Sequence, residues 1–170
     1  NYSKQASGIN RWPLKHYADL IARISMGNAK VIACDVMFVT ETGNDVLIDT
    51  LITAANVISP LVLDFSRDVS SFSASKGLGL QFNPPVKRGL ISPVSRVLAA
   101  PTSEIAEQSA GLGFVNVAPD NDGVVRRVQL VADLHGTLVP SFFLQAVAAY
   151  LDYDIENIAP VDGSRLVLKD

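Results

Sequence analysis

A chain of 170 residues, of which 48% are hydrophobic and 18% charged, has the composition of one globular domain, which excludes an intrinsically disordered protein. The net charge is −3 and adjacent basic residues occur only as Lys87-Arg88 and Arg126-Arg127, so the sequence predicts no nucleic-acid partner. Cys34 is the single cysteine, which excludes an intrachain disulfide and a cysteine-based zinc site.

The N-terminal third of the chain predicts an α-β-α-β unit. Pro13 can occupy the first turn of a helix whose apolar residues recur at helical spacing until Gly27. A nearly continuous apolar run from Lys30 to Val39 predicts a central strand, and a second helix leads to a strand from Asn56 to Leu63. One crossover of this kind makes the two strands parallel. Pro60 inside the second strand favours an edge position or a bulge.

The middle of the chain changes character. Serine, glycine and proline dominate residues 64–93, which predicts a long surface loop of the kind that often forms binding elements or lids. Short helices are then predicted at Val94 to Ala100 and at Ser103 to Ser109, because Pro101 separates two weakly helical stretches.

A strong turn sequence follows, from Pro119 to Gly123. It lies between two β-branched runs, so Gly113 to Val117 and Val124 to Ala132 are predicted to form an antiparallel hairpin. A second turn is predicted from Asp133 to Gly136. Ser141 can cap a helix through Leu151 that is apolar on most faces, and we expect this helix to be deeply packed.

The predicted fold is α/β: a mixed β-sheet with an N-terminal α-β-α-β parallel unit, a later antiparallel hairpin, and helices packed on the sheet. Ile158 to Ala159 and Arg165 to Leu168 are candidate strands in the tail. We interpret residues 1–170 as a single domain with a core at about 11–151 and the long loop at about 64–93.

The segments outside the given chain are a separate expectation. No apolar run reaches the roughly 20 residues that a membrane-spanning helix needs, and the N-terminus lacks a signal-peptide pattern. The sequence begins at Asn1 without a methionine. We therefore expect a fragment whose targeting and membrane segments lie elsewhere.

Asp35 is the most distinctive candidate for a binding residue. It falls in the C-terminal half of the first predicted strand, and open α/β sheets commonly bind ligands beyond such strand ends. A buried aspartate that accepts hydrogen bonds from loop amides would explain the same residue without any ligand. A third interpretation is a hydrolase with Asp35 as nucleophile or base. Against it, Met37 stands where dehalogenase-like phosphatases have a second aspartate.

Four further residues join Asp35 as ligand-binding candidates, and the full set is Asp35, Phe38, Asn116, Arg126 and Ser141. Asn116 is a polar group within an apolar run. Arg126 and Arg127 alternate along a strand, so one of them should point inward. An inward Arg126 near Asp35 would form either a buried ion pair or a polar pocket.

The acidic turn and the glycine pair have ordinary structural explanations. Asp120 and Asp122 offer clustered oxygens for a metal such as calcium, but the remaining ligands of a calcium loop are missing. A plain hairpin turn is therefore the favoured explanation, and a metal site is a side hypothesis. Gly111-Leu-Gly113 lacks the pattern of a dinucleotide loop, and we interpret its glycines as serving only the local backbone conformation. No cofactor is predicted.

Four segments resemble the CHASE2 family of bacterial extracytoplasmic sensory domains, over roughly Arg11 to Leu151. They are RWPLKHYADLIARI, AKVIACDVMF, GLGFVNVAPDNDGVVRRVQLV and PSFFLQAVAAYL. The most specific parts are the D-x-x-F sequence from Asp35 to Phe38 and the stretch from Gly113 to Arg127. The resemblance implies a sensor on the periplasmic side of the cytoplasmic membrane, followed by transmembrane helices and a cytoplasmic nucleotide cyclase, histidine kinase or serine/threonine kinase.

Two principal functions follow as hypotheses. The first is an extracytoplasmic input domain that binds an unidentified small solute or partner protein and signals to a cytoplasmic output domain. The second is a structural or dimerisation module, such as a homodimer, in which Asp35, Asn116 and Arg126 form a buried polar network without a ligand. In both, this domain is not itself an enzyme, and membrane attachment comes from segments outside the chain.

Overall fold

The computed structural model describes residues 12–39, 43–65 and 91–155, together with the backbone of residues 158–162 and 165–168. These residues confirm a mixed α/β fold with helices packed on the sheets. In chain order the elements are α1 (Leu14–Met26), β1 (Ile32–Ala33), α2 (Asp45–Ala54), β2 (Val57–Asp64), β3 (Ser92–Val94), β4 (Arg96–Ala99), α3 (Ser103–Gln108), β5 (Gly111–Phe114), β6 (Val131–Leu134), β7 (Thr137–Pro140), α4 (Phe142–Tyr150), β8 (Ile158–Asp162) and β9 (Arg165–Leu168). Most of the loop predicted at residues 64–93 lies outside the described residues.

The predicted N-terminal unit is confirmed. Pro13 lies directly before α1, and the backbone N–H of Gly27 closes its last turn by donating to the carbonyl oxygens of Arg23 and Ile24. β1 and β2 are parallel, with Ile32 opposite Val57. β1 is shorter than predicted, because after the N–H of Cys34 has donated to Ile58 no further ladder bond joins it to β2.

β2 is the central strand of the main sheet. β5 pairs parallel with one edge of β2, while the other edge is shared by β1 at its start and by the antiparallel β4 at its end. Pro60 is buried. The backbone groups of a strand point alternately to its two edges, so the backbone of Pro60, like that of Ile58, points to the edge shared by β1 and β4. Pro60 lies at the gap between those two strands, where no backbone donor is needed. The predicted edge position of this strand is wrong, and the bulge lies just beyond Pro60, between Val62 and Leu63.

Two other predictions are wrong for a shared reason. Residues 94–100 form the end of β3 and β4 instead of a helix, because β6 and the end of β2 supply partner strands that override a weak local preference. The hairpin predicted from Gly113 to Ala132 does not form, because β5 pairs with β2 instead. The antiparallel hairpin is β6–β7, which turns at residues 135–136.

Helices cover both faces of the main sheet. α1, α2 and part of α3 share one buried cluster with β1 and Val57. α4 lies on the opposite face. Gly113 touches it so closely that a Cβ atom there would come within 2.5 Å of the Phe142 backbone, whereas the neighbouring Leu112 and Phe114 point the other way into the core. The sheet β3–β6–β7 adjoins this core through Val94, Ala132 and Val139.

α4 is less deeply packed than predicted. Its inner side buries Leu144 and Ala148 against β6 and β7. Its outer side exposes four apolar side chains, which we call the outer stripe: Phe143, Val147, Tyr150 and the next residue, Leu151. No helix in the described part of the chain is long and apolar enough to cross a bilayer.

Candidate functional site

Polar residues stand at or just after the carboxyl ends of three parallel strands of the main sheet. Asp35 comes two residues after β1, Asp64 is the last residue of β2, and Asn116 comes two residues after β5. β1 pairs only with the start of β2, so Asp35 lies short of the other two along that strand. β1 and β5 both run parallel to β2, so their carboxyl ends point the same way. This is the edge at which open α/β sheets commonly bind ligands.

Asn116 extends the ladder between β2 and β5 with its side chain. Its Oδ1 accepts a hydrogen bond from the N–H of Leu63 at 2.8 Å, and its Nδ2 donates to the carbonyl oxygen of Leu63 at 2.8 Å. The side-chain amide therefore replaces the peptide group that the next residue of β5 would have supplied. Its position in an apolar run has a structural cause, and it holds the two strand ends together.

Beside Asn116, the end of β2 carries a group of connected polar residues, which we call the strand-end cluster: Asp64, Ser95, Arg96, Asn116 and His135. Oδ2 of Asp64 accepts a hydrogen bond from Nε of Arg96 at 3.1 Å. The backbone N–H and the hydroxyl of Ser95 both donate to the carbonyl oxygen of Asp64, at 3.0 and 3.3 Å. Nε2 of His135 lies 2.6 Å from the carbonyl oxygen of Ser95 and donates to it.

The sequence predictions missed Asp64, Arg96 and His135 as members of a site. The available signal was the position of Asp64 as the first charged residue after an apolar strand, which is the same signal that singled out Asp35. Arg96 was assigned to a predicted helix, which hid its position beside β2. The side chain of Asp64 is 17% exposed and that of Arg96 is 43% exposed, so the ion pair is partly open to solvent.

Asp35 and Phe38 lie on the segment that leaves the sheet after β1. Asp35 is exposed, whereas Phe38 is buried against the ring of Tyr17 and its carbonyl oxygen accepts a hydrogen bond from the N–H of Thr102. Burial raises the pKa of the neighbouring Cys34 thiol, more than a backbone hydrogen bond from Val36 lowers it. The thiol is therefore protonated at neutral pH and is a poor nucleophile.

Arg126 pairs with the acidic turn and not with Asp35. Its guanidinium donates to Asp122 at 2.7 and 2.9 Å and to Asp120 at 3.4 Å, on a side chain that is 54% exposed. The hydrogen bond from Arg126 is the main cause that lowers the pKa of Asp122. The expected inward arginine is thus wrong, because the local carboxylates offer partners without desolvation.

The same turn was the weak candidate for a metal site. Arg126 donates to the carboxylates of both Asp120 and Asp122, and Arg127 pairs with Asp120 at 3.4 Å, so two guanidinium groups already pair with the two carboxylates. Within the described ranges, no three histidine, cysteine, aspartate or glutamate residues are grouped closely enough to hold a metal ion.

Ser141 caps α4, as predicted. Its hydroxyl oxygen accepts a hydrogen bond from the N–H of Leu144 at 3.1 Å, and its own N–H donates to the carbonyl oxygen of Leu130. The residue is completely buried. Ser141 bonds to Leu130 and Leu144, Arg126 bonds to the acidic turn, and Asp35 is exposed, so the structure does not join the five predicted binding residues into one hydrogen-bonded group.

The comparison with protein families gives one match over nearly the whole chain. The model of the CHASE2 domain matches residues 2–169. No curated protein and no solved structure matches the sequence. The match covers all the segments that carry the resemblance, and CHASE2 domains are extracellular sensory domains without catalytic activity. The chain therefore belongs to the CHASE2 domain family.

Proposed function

We propose that this chain is the input domain of a membrane-bound receptor and lies on the periplasmic side of the cytoplasmic membrane. It binds a small polar solute or a partner protein at the strand-end cluster, and it passes the signal through membrane segments to a cytoplasmic cyclase or kinase domain. Membership in an extracellular sensory family supports the sensing role.

The observation that carries the proposed site is the partly exposed ion pair between Asp64 and Arg96 at the carboxyl end of β2. Charged groups at this edge can orient a polar ligand by charge-assisted hydrogen bonds. Asn116 holds the neighbouring strand end in place, so the cluster is built on two paired strands. We leave Phe38 and Ser141 out of the proposed site, because the Phe38 side chain and the Ser141 hydroxyl are engaged within the protein.

A structural change on binding at this cluster would be transmitted to a second sheet. Ser95 lies between β3 and β4, and its carbonyl oxygen accepts the hydrogen bond from His135 at the β6–β7 turn. A ligand that rearranges the Asp64–Arg96 pair would therefore shift the neighbouring Ser95 and its hydrogen bond to His135, which joins the two sheets. To signal, the ligand must bind the two states of the receptor with different affinities.

A thermal-shift screen with charged and polar solutes and with cell extracts tests the proposal. We expect at least one solute or extract to raise the unfolding temperature of the wild type. Arg96→Gln and Asp64→Asn should then lose most of this ligand-induced shift, each compared with its own ligand-free baseline. Glu107→Gln on α3, which changes an exposed carboxylate outside the strand-end cluster, is the matched control and should keep the shift.

Two results would contradict the proposed site. One is a screen in which no solute and no extract stabilises the wild type. The other is a ligand whose stabilising effect survives both Asp64→Asn and Arg96→Gln, which would place binding elsewhere on the domain.

The second candidate, a structural or dimerisation module, needs a different basis from the predicted polar network. Asp35 is exposed, Asn116 pairs with Leu63, and Arg126 pairs with Asp122, so these three side chains form no common buried network. A specific observation still favours dimerisation, and it lies on α4. A hydrolase that uses Asp35 has no support, because CHASE2 domains are sensory and non-catalytic.

A further inference from the structure

The outer stripe on α4 is a continuous apolar surface. Phe143, Val147, Tyr150 and Leu151 follow helical spacing, and their exposed fractions are 49%, 51%, 62% and 50%. Residues at this spacing lie above one another on one side of a helix. Isolated exposed apolar residues need no explanation, but four on a single helix face mark a candidate interaction surface.

The packing of α4 fixes the direction in which this surface points. The first turn of α4 lies directly on Gly113, and the side chain of Gln145 lies over Gly111. The inner side of the helix is filled by Leu144 and Ala148. α4 therefore cannot roll to bury the outer stripe, and in the described part of the chain β8 and β9 pair with each other and not with this helix.

The charge pattern of the stripe favours a partner with the same surface. No residue of α4 is charged. Lys30 lies over the ring of Tyr150, and its charge is already paired with Asp152 at 2.6 Å. In a two-fold symmetric contact every side chain meets a copy of its own surface, so an uncharged stripe avoids repulsion between like charges. A charged partner would find no complementary group there.

The size of the stripe sets the strength of such a contact. Two aromatic and two aliphatic side chains, each about half exposed, amount to a patch on the order of 400 Å². A stable interface uses about 800 Å² from each partner. The outer stripe is therefore sufficient for a weak, reversible dimer and not for a permanent one.

We propose that the outer stripe is the contact surface between two copies of this domain, with the two-fold axis passing close to Val147. Phe143 of one copy then lies toward Tyr150 and Leu151 of the other, and the two Lys30–Asp152 pairs lie at the rim. A lipid surface is less suitable, because helices that lie on membranes have basic residues along their polar side and α4 has none. The contact does not depend on ligand binding at the strand-end cluster.

Sedimentation equilibrium at increasing protein concentration tests the dimer. The wild type should show reversible association, and Val147→Glu should weaken it by at least about tenfold, since two desolvated carboxylates would meet in an apolar contact. Ile52→Glu is the matched control, because Ile52 is 54% exposed on α2 and lies outside the stripe. It should leave association unchanged. Circular dichroism establishes that both variants are folded.

A cysteine cross-link tests the position of the axis. In a Cys34→Ala background, Val147→Cys should form a disulfide between two chains under mild oxidation, because a residue near a two-fold axis meets its own copy. Ile52→Cys in the same background should remain monomeric on a non-reducing gel. Equal cross-linking of both variants would overturn the assigned surface.

Two other results would overturn the proposal. One is a wild type that stays monomeric up to a concentration of about 1 mM. The other is Val147-dependent pelleting with phosphatidylcholine–phosphatidylglycerol vesicles by a protein that is monomeric in solution, which would assign the stripe to a lipid surface. A failed ligand screen would leave the dimer result unaffected, so the two proposals can fail separately.

Discussion

The segment from Gly111 to Leu130 contains two regions of opposite structure, and the one richer in β-branched residues is not the one that forms a strand. Residues 111–116 form β5 and the Asn116 bridge, and they are packed between β2, α4 and the core. Residues 117–130 contain four valines against one in residues 111–116, but Val117, Val124, Val125, Val128 and Leu130 are all 39% to 49% exposed. The first region is built into the sheet, and the second lies on the surface around an ionic turn.

The difference teaches that β-branched composition alone does not make a strand. Residues 111–114 meet β2, whose edge offers backbone partners, and the two glycines let α4 approach. Residues 125–129 make no backbone hydrogen bond to any described residue. Their turn is held instead by the pairing of Asp120 with Val124 and of Arg126 with Asp122. Strand formation was decided by available partners.

Hydrogen exchange should show the largest contrast between the two regions. We expect the amides of Leu112 and Phe114 to exchange at least about 10³-fold more slowly than those of Val125 to Val128, corrected for intrinsic rates. The reason is that β5 amides open only with the sheet, whereas the second region has no ladder to open. Similar protection in both regions would show that residues 124–130 find a strand partner in solution.

Gly113→Ala should produce the largest loss of stability. A Cβ atom would come within 2.5 Å of the backbone N and Cα of Phe142, so the first turn of α4 would have to move. We expect the free energy of unfolding to fall by about 3 kcal/mol or more, or the domain not to fold. Urea denaturation followed by circular dichroism measures this loss.

Gly111→Ala provides a graded comparison, which keeps the prediction testable if Gly113→Ala does not fold. Here the three atoms nearest to the added methyl group all belong to the side chain of Gln145, which can move. The loss should be smaller, about 1 to 2 kcal/mol, and Gln145→Ala should recover part of it. A Gly113→Ala variant as stable as Gly111→Ala would contradict the close approach of α4.

Asn116→Ala should have an intermediate effect. It removes both hydrogen bonds to Leu63 and leaves the N–H and C=O of a buried strand unpaired, so we expect a loss of about 1 to 3 kcal/mol. Asn121→Ala, which changes the same residue type in the exposed turn, should alter stability by less than about 0.5 kcal/mol. Equal urea midpoints for the two variants would contradict the bridging role of Asn116.

Arg126→Gln should have the smallest effect, because its ion pairs are exposed to solvent and salt. We expect the unfolding temperature at neutral pH to change by less than about 2 °C. The pKa of Asp122 should rise toward its ordinary value of 3.8 when its main hydrogen-bond partner is removed. Carbon-13 NMR titration of the carboxyl groups measures this shift, and an unchanged pKa would contradict the pairing.

The sign of the pH dependence follows from the lowered pKa of Asp122. In the wild type the contribution of this pair to stability is present above the ordinary aspartate pKa of 3.8 and is lost as the pH falls through the lower folded value. The wild type and Arg126→Gln should therefore become equally stable at strongly acidic pH. High salt should also reduce the difference between them.

Several local features of the protein were determined by the sequence itself. Helical spacing and terminal residues predicted α1 and the Ser141 cap, and the apolar runs predicted the parallel pairing of β1 with β2. The segments that resemble CHASE2 identified the family, which the match over residues 2–169 confirms. These features depend on neighbours along the chain, so local patterns are sufficient to find them.

Only the tertiary structure decided which of these elements and side chains pack or pair with one another. β4 replaced a predicted helix because the end of β2 offered an edge, and Arg96 thereby came beside Asp64. Gly111 and Gly113, which were interpreted as serving only the local backbone, form the surface against which α4 packs. That contact leaves the outer stripe exposed. The physical reason is that strand pairing, helix approach and ion pairing join residues distant in sequence, and each is settled by competition among surfaces that local patterns do not reveal.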